Sequence, residues 1–205
     1  MVKIITFEGI DYSGKTTALI HLAKRFSKRQ ELIFNEGLIY QDELTSRLLT
    51  IANQCNEQEK ESLYTSLYIL DTLKSSTLFF KDTRTFFQDR YWPSVIAYGK
   101  FLNGEKSIHN NKDFRPLFIY PSVVIHFTCS HSEKIRRSEQ RERKSLLDKF
   151  LFENNDNFER LEKEIEKSLE GLSNIFKIDT TDKSIEEVTY EIENYLNSIN
   201  ILRQK

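Results

Sequence analysis

The chain has 205 residues and a net charge of −1. Near-neutral charge gives no general pull toward nucleic acid or an anionic membrane, and no apolar stretch approaches the roughly 20 residues of a membrane span, so neither is expected as a partner. The two cysteines, Cys55 and Cys129, form neither a disulfide framework nor a metal spacing and read as reduced thiols. Only 6 Gly and 3 Pro, with no repeat or low-complexity block, point to one cytoplasmic domain over residues 1–205. The amino-terminal apolar run is short and broken by Lys3 and Glu8, which does not match a signal peptide.

Val2 to Phe7 is rich in β-branched residues and predicts a buried strand. It leads into Phe7-Glu8-Gly9-Ile10-Asp11-Tyr12-Ser13-Gly14-Lys15-Thr16-Thr17. Here Gly9, Gly14, Lys15 and Thr16 fill the spacing G-x-x-x-x-G-K-[ST] of a phosphate-binding loop. Glycines let successive N–H groups converge on phosphate oxygens. Lys15 is placed to reach the β- and γ-phosphates and Thr16 to hold Mg²⁺, while the following helix aims its positive end at the anion.

Leu19, Ala23 and Phe26 share one face of a helix expected from about Lys15 to Lys28. Leu32-Ile33-Phe34 predicts a second strand, ended by an Asn35-Glu36-Gly37 loop. Leu44, Leu48 and Ile51 mark a second helix. Leu63, Leu67, Leu70 and Leu73 stripe a third, from about Glu57 to Lys81. The adjacent face of that helix carries Tyr64, Tyr68, Asp71 and Ser75, which suits either a wetted surface or the wall of a pocket for a planar ligand. Thr85 to Asp89 predicts a third strand, ending in Asp89-Arg90-Tyr91 with Pro93, Ser94 and Tyr98 on the helix behind it. Ligands of open α/β sheets bind outside the carboxyl ends of strands, which puts Asp89 and Arg90 where chemistry is expected. A polar loop runs from Asn103 to Arg115.

Ser122 to Thr128 is nearly all apolar, the mark of a parallel strand buried on both faces; His126 within it reads as a core or sheet-edge residue. The basic stretch Glu133 to Lys144 reads as a helix with i, i+4 pairs Glu133–Arg137 and Glu139–Arg143. Arg137, Arg141 and Lys144 share one face of it, a repulsion that a bound polyphosphate would relieve. That suits a lid, about residues 133–148, closing over a transferring phosphoryl group. Phe158, Leu161, Ile165 and Leu169 mark a helix stopped near Gly171, Ile175 to Ile178 a last strand, and Ser184-Ile185-Glu186-Glu187 a capping box opening a helix that buries Val188, Ile192 and Leu196. The alternation predicts a five-stranded parallel sheet covered by helices.

The loop Phe7–Thr17, the run Asp89-Arg90-Tyr91 with Ser94, Ala97 and Tyr98, and the arginine-rich stretch after the fourth strand together resemble thymidylate kinase, over nearly the full chain in element order. The resemblance implies a nucleoside monophosphate kinase fold with strand order 2-3-1-4-5, ATP:dTMP phosphoryl transfer, Mg²⁺, and a homodimer packed through the helices around the third strand. By matched position, Gly9, Asp11, Ser13, Gly14, Lys15, Thr16 and Thr17 form the donor loop, and Asp11 also helps place the acceptor. Thr16 serves the metal, and Asp89 assists at the metal or the acceptor side. Arg90 holds phosphate, Ser94 and Tyr98 lie against the acceptor base, Tyr68 stacks on it, and Glu36 matches the loop after the second strand. Family members carry a catalytic arginine either in the phosphate loop or in the lid. Tyr12-Ser13 holds no arginine, which implies the lid type, with Arg137 and Arg141 as the charge-neutralising pair beside catalytic Lys15, Asp89 and Arg90.

Two stretches depart from the family pattern. Phe34-Asn35-Glu36-Gly37-Leu38 stands where the family has Thr-Arg-Glu-Pro-Gly-Gly, and Asp71-Thr72 where it has Asp-Arg. Arg47, Lys74 and Arg90 are the cations left to read an acceptor phosphate. Other readings are a kinase of a deoxynucleoside or other small metabolite, which would not need those arginines, and a degenerate nucleotide binder. A GTPase-like switch is disfavoured because Asn111-Lys112-Asp113 does not make the guanine-reading spacing.

Overall fold

Five parallel strands, β1 (Lys3–Glu8), β2 (Leu32–Glu36), β3 (Thr85–Asp89), β4 (Val123–Thr128) and β5 (Ile175–Asp179), form one sheet in the order β2-β3-β1-β4-β5. The structure is a computed structural model that describes residues 3–39, 43–55, 57–79, 82–104, 118–141 and 146–202. The polar loop expected from Asn103 lies mostly outside these residues. So do Arg143 and Lys144. Around the sheet lie α1 (Lys15–Arg25), α2 (Glu43–Gln54), α3 (Glu57–Phe79), α4 (Trp92–Asn103), α5 (His131–Glu139), α6 (Leu146–Glu153), α7 (Asn155–Leu169) and α8 (Ile185–Ser198). None of these helices is long and apolar enough to cross a membrane.

Strand parity divides the core. Ile5 and Phe7 of β1 face α1 and α8 and pack with Leu19, Leu22, Phe87, Phe127 and Ile192. Val124 of β4 faces the other way, against Ala97 of α4 and Phe158, Leu161 and Ile165 of α7. Ile4 joins Tyr91, Trp92 and Ile96. The inner strands are buried on both sides, which is why they read as unbroken apolar runs. The chain leaves β1 toward β2 on one side and leaves β3 toward β4 on the other. These connections diverge at the carboxyl ends of β1 and β3, where such sheets open a crevice.

The capping box of α8 is formed, with Ser184 accepting from Glu187 N and Glu187 accepting from Ser184 N. Several expectations are corrected. Helix α1 ends at Arg25, three residues early, and buries Ala18, Leu19 and Leu22. Asn35 and Glu36 belong to β2. On α2 the inward residues are Thr45 and Ala52, while Leu44 and Ile51 are 60% and 50% exposed. On α3 the leucine stripe fails at Leu70, 53% exposed, and the polar face carries Asp71 and Ser75 into the interior. That face turns inward because Asp71 has work there: its carboxylate accepts from Ile39 N at 2.8 Å and holds the chain after β2. Helix α6 arises inside the expected lid, where the dense charges of 139–145 mask the apolar Leu147–Leu151 pattern. His126 is buried between β1 and β5, as a core residue, and burial lowers its pKa to about 4, with the Lys177 charge adding to the effect.

Leu161 is fully buried where α7 meets the sheet. Leu161→Ala is expected to lower stability by about 2–5 kcal/mol, read from urea denaturation as a lower midpoint at unchanged slope.

Candidate active site

The loop after β1 closes tightly because its backbone does what the glycine spacing demands. Gly9 has φ 142°, and a Cβ there would meet the Phe127 carbonyl oxygen at 2.4 Å. Gly14 has φ 90°, at the N-cap of α1. Inside the loop, Ser13 Oγ and Lys15 Nζ each donate to the Ile10 carbonyl at 2.7 Å. Thr180, arriving from the end of β5, donates its hydroxyl to Ser13 O at 2.9 Å and seals the loop from outside.

The turn after β3 docks against this loop. Arg90 N continues the ladder to Phe7 O at 3.1 Å, and Arg90 itself adopts a left-handed φ of 60°. Its guanidinium donates to Gly9 O at 3.0 Å and to Asp11 Oδ1 at 2.6 Å and lies 4.8 Å from the Tyr98 ring centroid. Tyr98 donates to Asp11 Oδ2 at 2.9 Å. Glu8, the polar end of an apolar strand, is fully buried beneath; Ser94 Oγ donates to it, as does Tyr91 N at 3.0 Å.

Burial sets the electrostatics, and the fixed charges modify it. Burial raises the Glu8 carboxyl to about 7, even with Ser94 and Arg90 opposing. Burial also works to raise Asp11, but Arg90, Lys15 and Tyr98 outweigh it and hold the carboxyl at about 2. Burial lowers Lys15 to about 8, helped by the Arg90 charge. Phosphate oxygens beside Lys15 would raise its pKa again and hold it in its charged form.

Two cavities flank Asp11. One, of about 310 Å³, is lined by Tyr12, Gly14, Lys15, Thr16, Thr17, Arg137, Gln140 and Arg141. The other, of about 180 Å³, is lined by Tyr68, Arg90, Ser94, Val95, Tyr98, Leu102 and Leu147. Asp11 lines both. Thr16 Oγ1 donates to Asp89 Oδ2, while Asp89 Oδ1 is buried with no hydrogen-bond partner among the described residues. This pair of hard oxygens fits Mg²⁺, which keeps several waters and takes substrate phosphates as ligands, so one carboxylate and one hydroxyl suffice. No cluster of three or more His, Cys, Asp or Glu arranged for a metal occurs among the described residues.

The structure thus gathers Gly9, Asp11, Ser13, Gly14, Lys15, Thr16, Thr17, Asp89, Arg90, Ser94, Tyr98 and Tyr68 around the crevice. It does not bring Glu36 there. Glu36 shares the α1-facing side of β2 with Phe34 and lines a separate hollow with Leu19 and Lys24, so strand parity turns it away. Arg47 is also absent, exposed on α2 and paired with Glu43, and Lys74 does not line either cavity. The expected arginine pair splits. Arg137 is engaged by Glu133 Oε1, Tyr12 O, Thr180 Oγ1 and Thr180 O at 2.7–3.0 Å, and so braces the loop. Arg141 lies beyond the end of α5 with its guanidinium 5.4 Å from the Tyr12 ring centroid, facing the larger cavity. Glu8 and Thr180 were not singled out as site residues. Glu8 had a signal, a lone acid ending a buried strand; Thr180 had none.

A phosphate loop, a metal-fitting Thr–Asp pair and a second cavity sharing the wall of the first define a P-loop phosphotransferase. The chain belongs to the thymidylate kinase family, whose model matches residues 7–192. No curated protein sequence matches it. Among solved structures it is similar to thymidylate kinase from Candida albicans (18% identity, 97% of this chain and 92% of that one, TM-score 0.58). It is likewise similar to thymidylate kinase from Ehrlichia chaffeensis (18%, 95% and 98%, TM-score 0.61). A third similar structure is a deoxyadenosine kinase from M. mycoides with dCMP and dCDP bound (18%, 95% and 99%, TM-score 0.65). These likenesses establish the shared fold.

Glu8 predicts a pH signature. Its folded value of about 7 lies above the ordinary 4.5, so the folded state keeps a proton that the unfolded chain releases. This stabilisation is complete below pH 4.5 and is lost as pH rises through 7. Glu8→Gln cannot ionise. Its urea midpoint is expected to fall less than the wild-type midpoint across that interval; parallel curves would contradict the prediction.

Proposed function

We propose that this protein transfers the γ-phosphoryl group of ATP to a (deoxy)nucleoside monophosphate, dTMP foremost. The observation that carries the reading is Asp11, held by Arg90 and Tyr98 in the wall between a phosphate-loop cavity and an aromatic-lined one. A donor and an acceptor seated on either side meet at that wall.

Lys15 and the N–H groups of the loop bind the donor phosphates, and Thr16 and Asp89 hold Mg²⁺. When bound, the ion neutralises charge on the donor oxygens. Tyr68 and Tyr98, with Val95, Leu102 and Leu147, offer the acceptor base an apolar, partly aromatic slot, and Ser94 and Arg90 give it polar contacts. Arg141 neutralises charge on the transferring group from the lid side. Asp11 orients Arg90 and Lys15 toward the line of transfer. Positioning and fixed charge carry most of the acceleration in such reactions. The homodimer of the family is supported by the outward apolar residues Leu44, Ile51 and Leu70 on α2 and α3, and sedimentation equilibrium tests it.

One observation favours a second acceptor class. Arg90 is the one guanidinium lining the acceptor cavity among the described residues, and it is already committed to Asp11 and Gly9 O. A neutral deoxynucleoside asks for no further cation. A coupled ADP assay with ATP, Mg²⁺ and either dTMP, the other deoxynucleoside monophosphates or thymidine separates the two. Turnover of dTMP with thymidine inert is expected, and Lys15→Ala should lower kcat by about 10²-fold or more. Turnover of thymidine alone selects the second class, and no ADP above the Lys15→Ala background with any acceptor rejects both.

A further inference from the structure

Tyr12 is the member of the phosphate loop that the mechanism above leaves unused. Its backbone is left-handed, φ 66°, a conformation unfavourable for a bulky L-residue. Arg137, Phe152 and Arg141 hold it there, with Asp148 of α6 beside its hydroxyl. Its carbonyl accepts from Arg137 Nη1 at 3.0 Å. Its ring meets the ring of Phe152 on α6 edge-on, with centroids 5.4 Å apart. The Arg141 guanidinium lies over the same ring, 5.4 Å from its centroid. Phe152 packs in turn on the buried Phe158 of α7, centroids 4.9 Å apart, so the Tyr12 ring is backed by core and not by solvent. One loop residue therefore touches Arg137, Arg141 and Phe152. Of the described residues near them, Arg141 lines the cavity at the phosphate loop and Leu147 the one beside Tyr68 and Tyr98.

We propose that Tyr12 is a positioning residue that latches the lid to the phosphate loop and holds the Arg141 guanidinium over the donor cavity. The inference rests on the reading of Arg141 given under Proposed function. Its physical basis is the contrast between the two arginines. Arg137 is held by oxygen acceptors, which take up its N–H groups. Arg141 is held by the face of the Tyr12 ring with the Tyr12 hydroxyl beside it, which restrains the guanidinium while leaving its other N–H groups available to phosphate oxygens. A long side chain loses much rotamer freedom when it is fixed. With the ring in place, part of that loss precedes nucleotide binding, so less is left for the transition state. A loop without its own arginine thereby places a lid arginine from the loop side.

The test is a double-mutant cycle on the full chain: Tyr12→Asn, Tyr12→Phe, Arg141→Ala and the Asn/Ala double variant. Asparagine tolerates a left-handed backbone, so Tyr12→Asn removes the ring and spares the loop. Tyr12→Asn is expected to lower kcat about tenfold while KM for ATP stays within about threefold. Tyr12→Phe, which keeps the ring, should recover most of the rate, and the double variant should be no slower than Arg141→Ala alone. Losses that multiply in the double variant, a Phe variant as slow as the Asn variant, or a wild-type rate for Arg141→Ala would each overturn the proposal. The same cycle read on the Tm of the nucleotide-free protein is independent of catalysis: non-additive shifts support the latch and additive shifts overturn it. If the wild type phosphorylates no acceptor, the functional reading falls and the Tm cycle alone decides the latch.

Discussion

The ion pair between Asp11 and Arg90 joins two pieces of chain that are 79 residues apart, the loop after β1 and the turn after β3. Each half needs the other. Arg90 takes a left-handed backbone angle that only its fixed surroundings sustain, and Asp11 would not stay ionised in a partly buried wall without the adjacent guanidinium and the Lys15 ammonium. The Gly9 carbonyl and the Tyr98 hydroxyl add directionality, so the pair fixes the angle as well as the distance between the two strand ends. Both cavities take their shapes from that junction.

Around it the charges are graded by depth. Glu8, fully enclosed, sits near neutrality in its titration and supports the turn through Ser94 and the Tyr91 amide. Asp11 at the wall is firmly anionic. Lys15, buried against a carbonyl and lowered to about 8, is a cation whose burial outweighs the nearby carboxylates, so further anionic partners would stabilise its charge. Asp89, half engaged with the Thr16 hydroxyl, keeps one oxygen with no donor among the described residues. The preorganisation is thus mostly on the side of the phosphate loop. In the cavity beside Tyr68 and Tyr98 most of the wall is apolar or aromatic, and Arg90, the one guanidinium lining it among the described residues, is already shared.

Much of this was legible from the residues in order. The phosphate loop is contiguous, so its spacing alone specifies its turn. The capping box at Ser184 and the core stripe Phe158–Leu169 are local in the same sense. The five-stranded parallel sheet followed from alternating strands and helices, while its strand order came only with the family resemblance. In each case a few neighbouring residues satisfy their own hydrogen bonds or repeat at the period of one element, so no distant partner is needed.

What only the tertiary structure decided depends on partners far along the chain. Arg137 and Arg141 look equivalent on a helical face. Thr180, brought in by β5, and the carbonyl of Tyr12 capture the first, and the ring of Tyr12 holds the second. Glu36 matches a family position by sequence, yet strand parity points it at α1. The leucines of α2 and α3 look like a core, yet the Asp71 bond to Ile39 N brings the polar face of α3 inward and leaves Leu70 outside. Periodicity states that a helix has two faces. Which face is buried, and which of two like charges is spent on structure, is decided by the net free energy of contacts between segments that meet only once the sheet has formed.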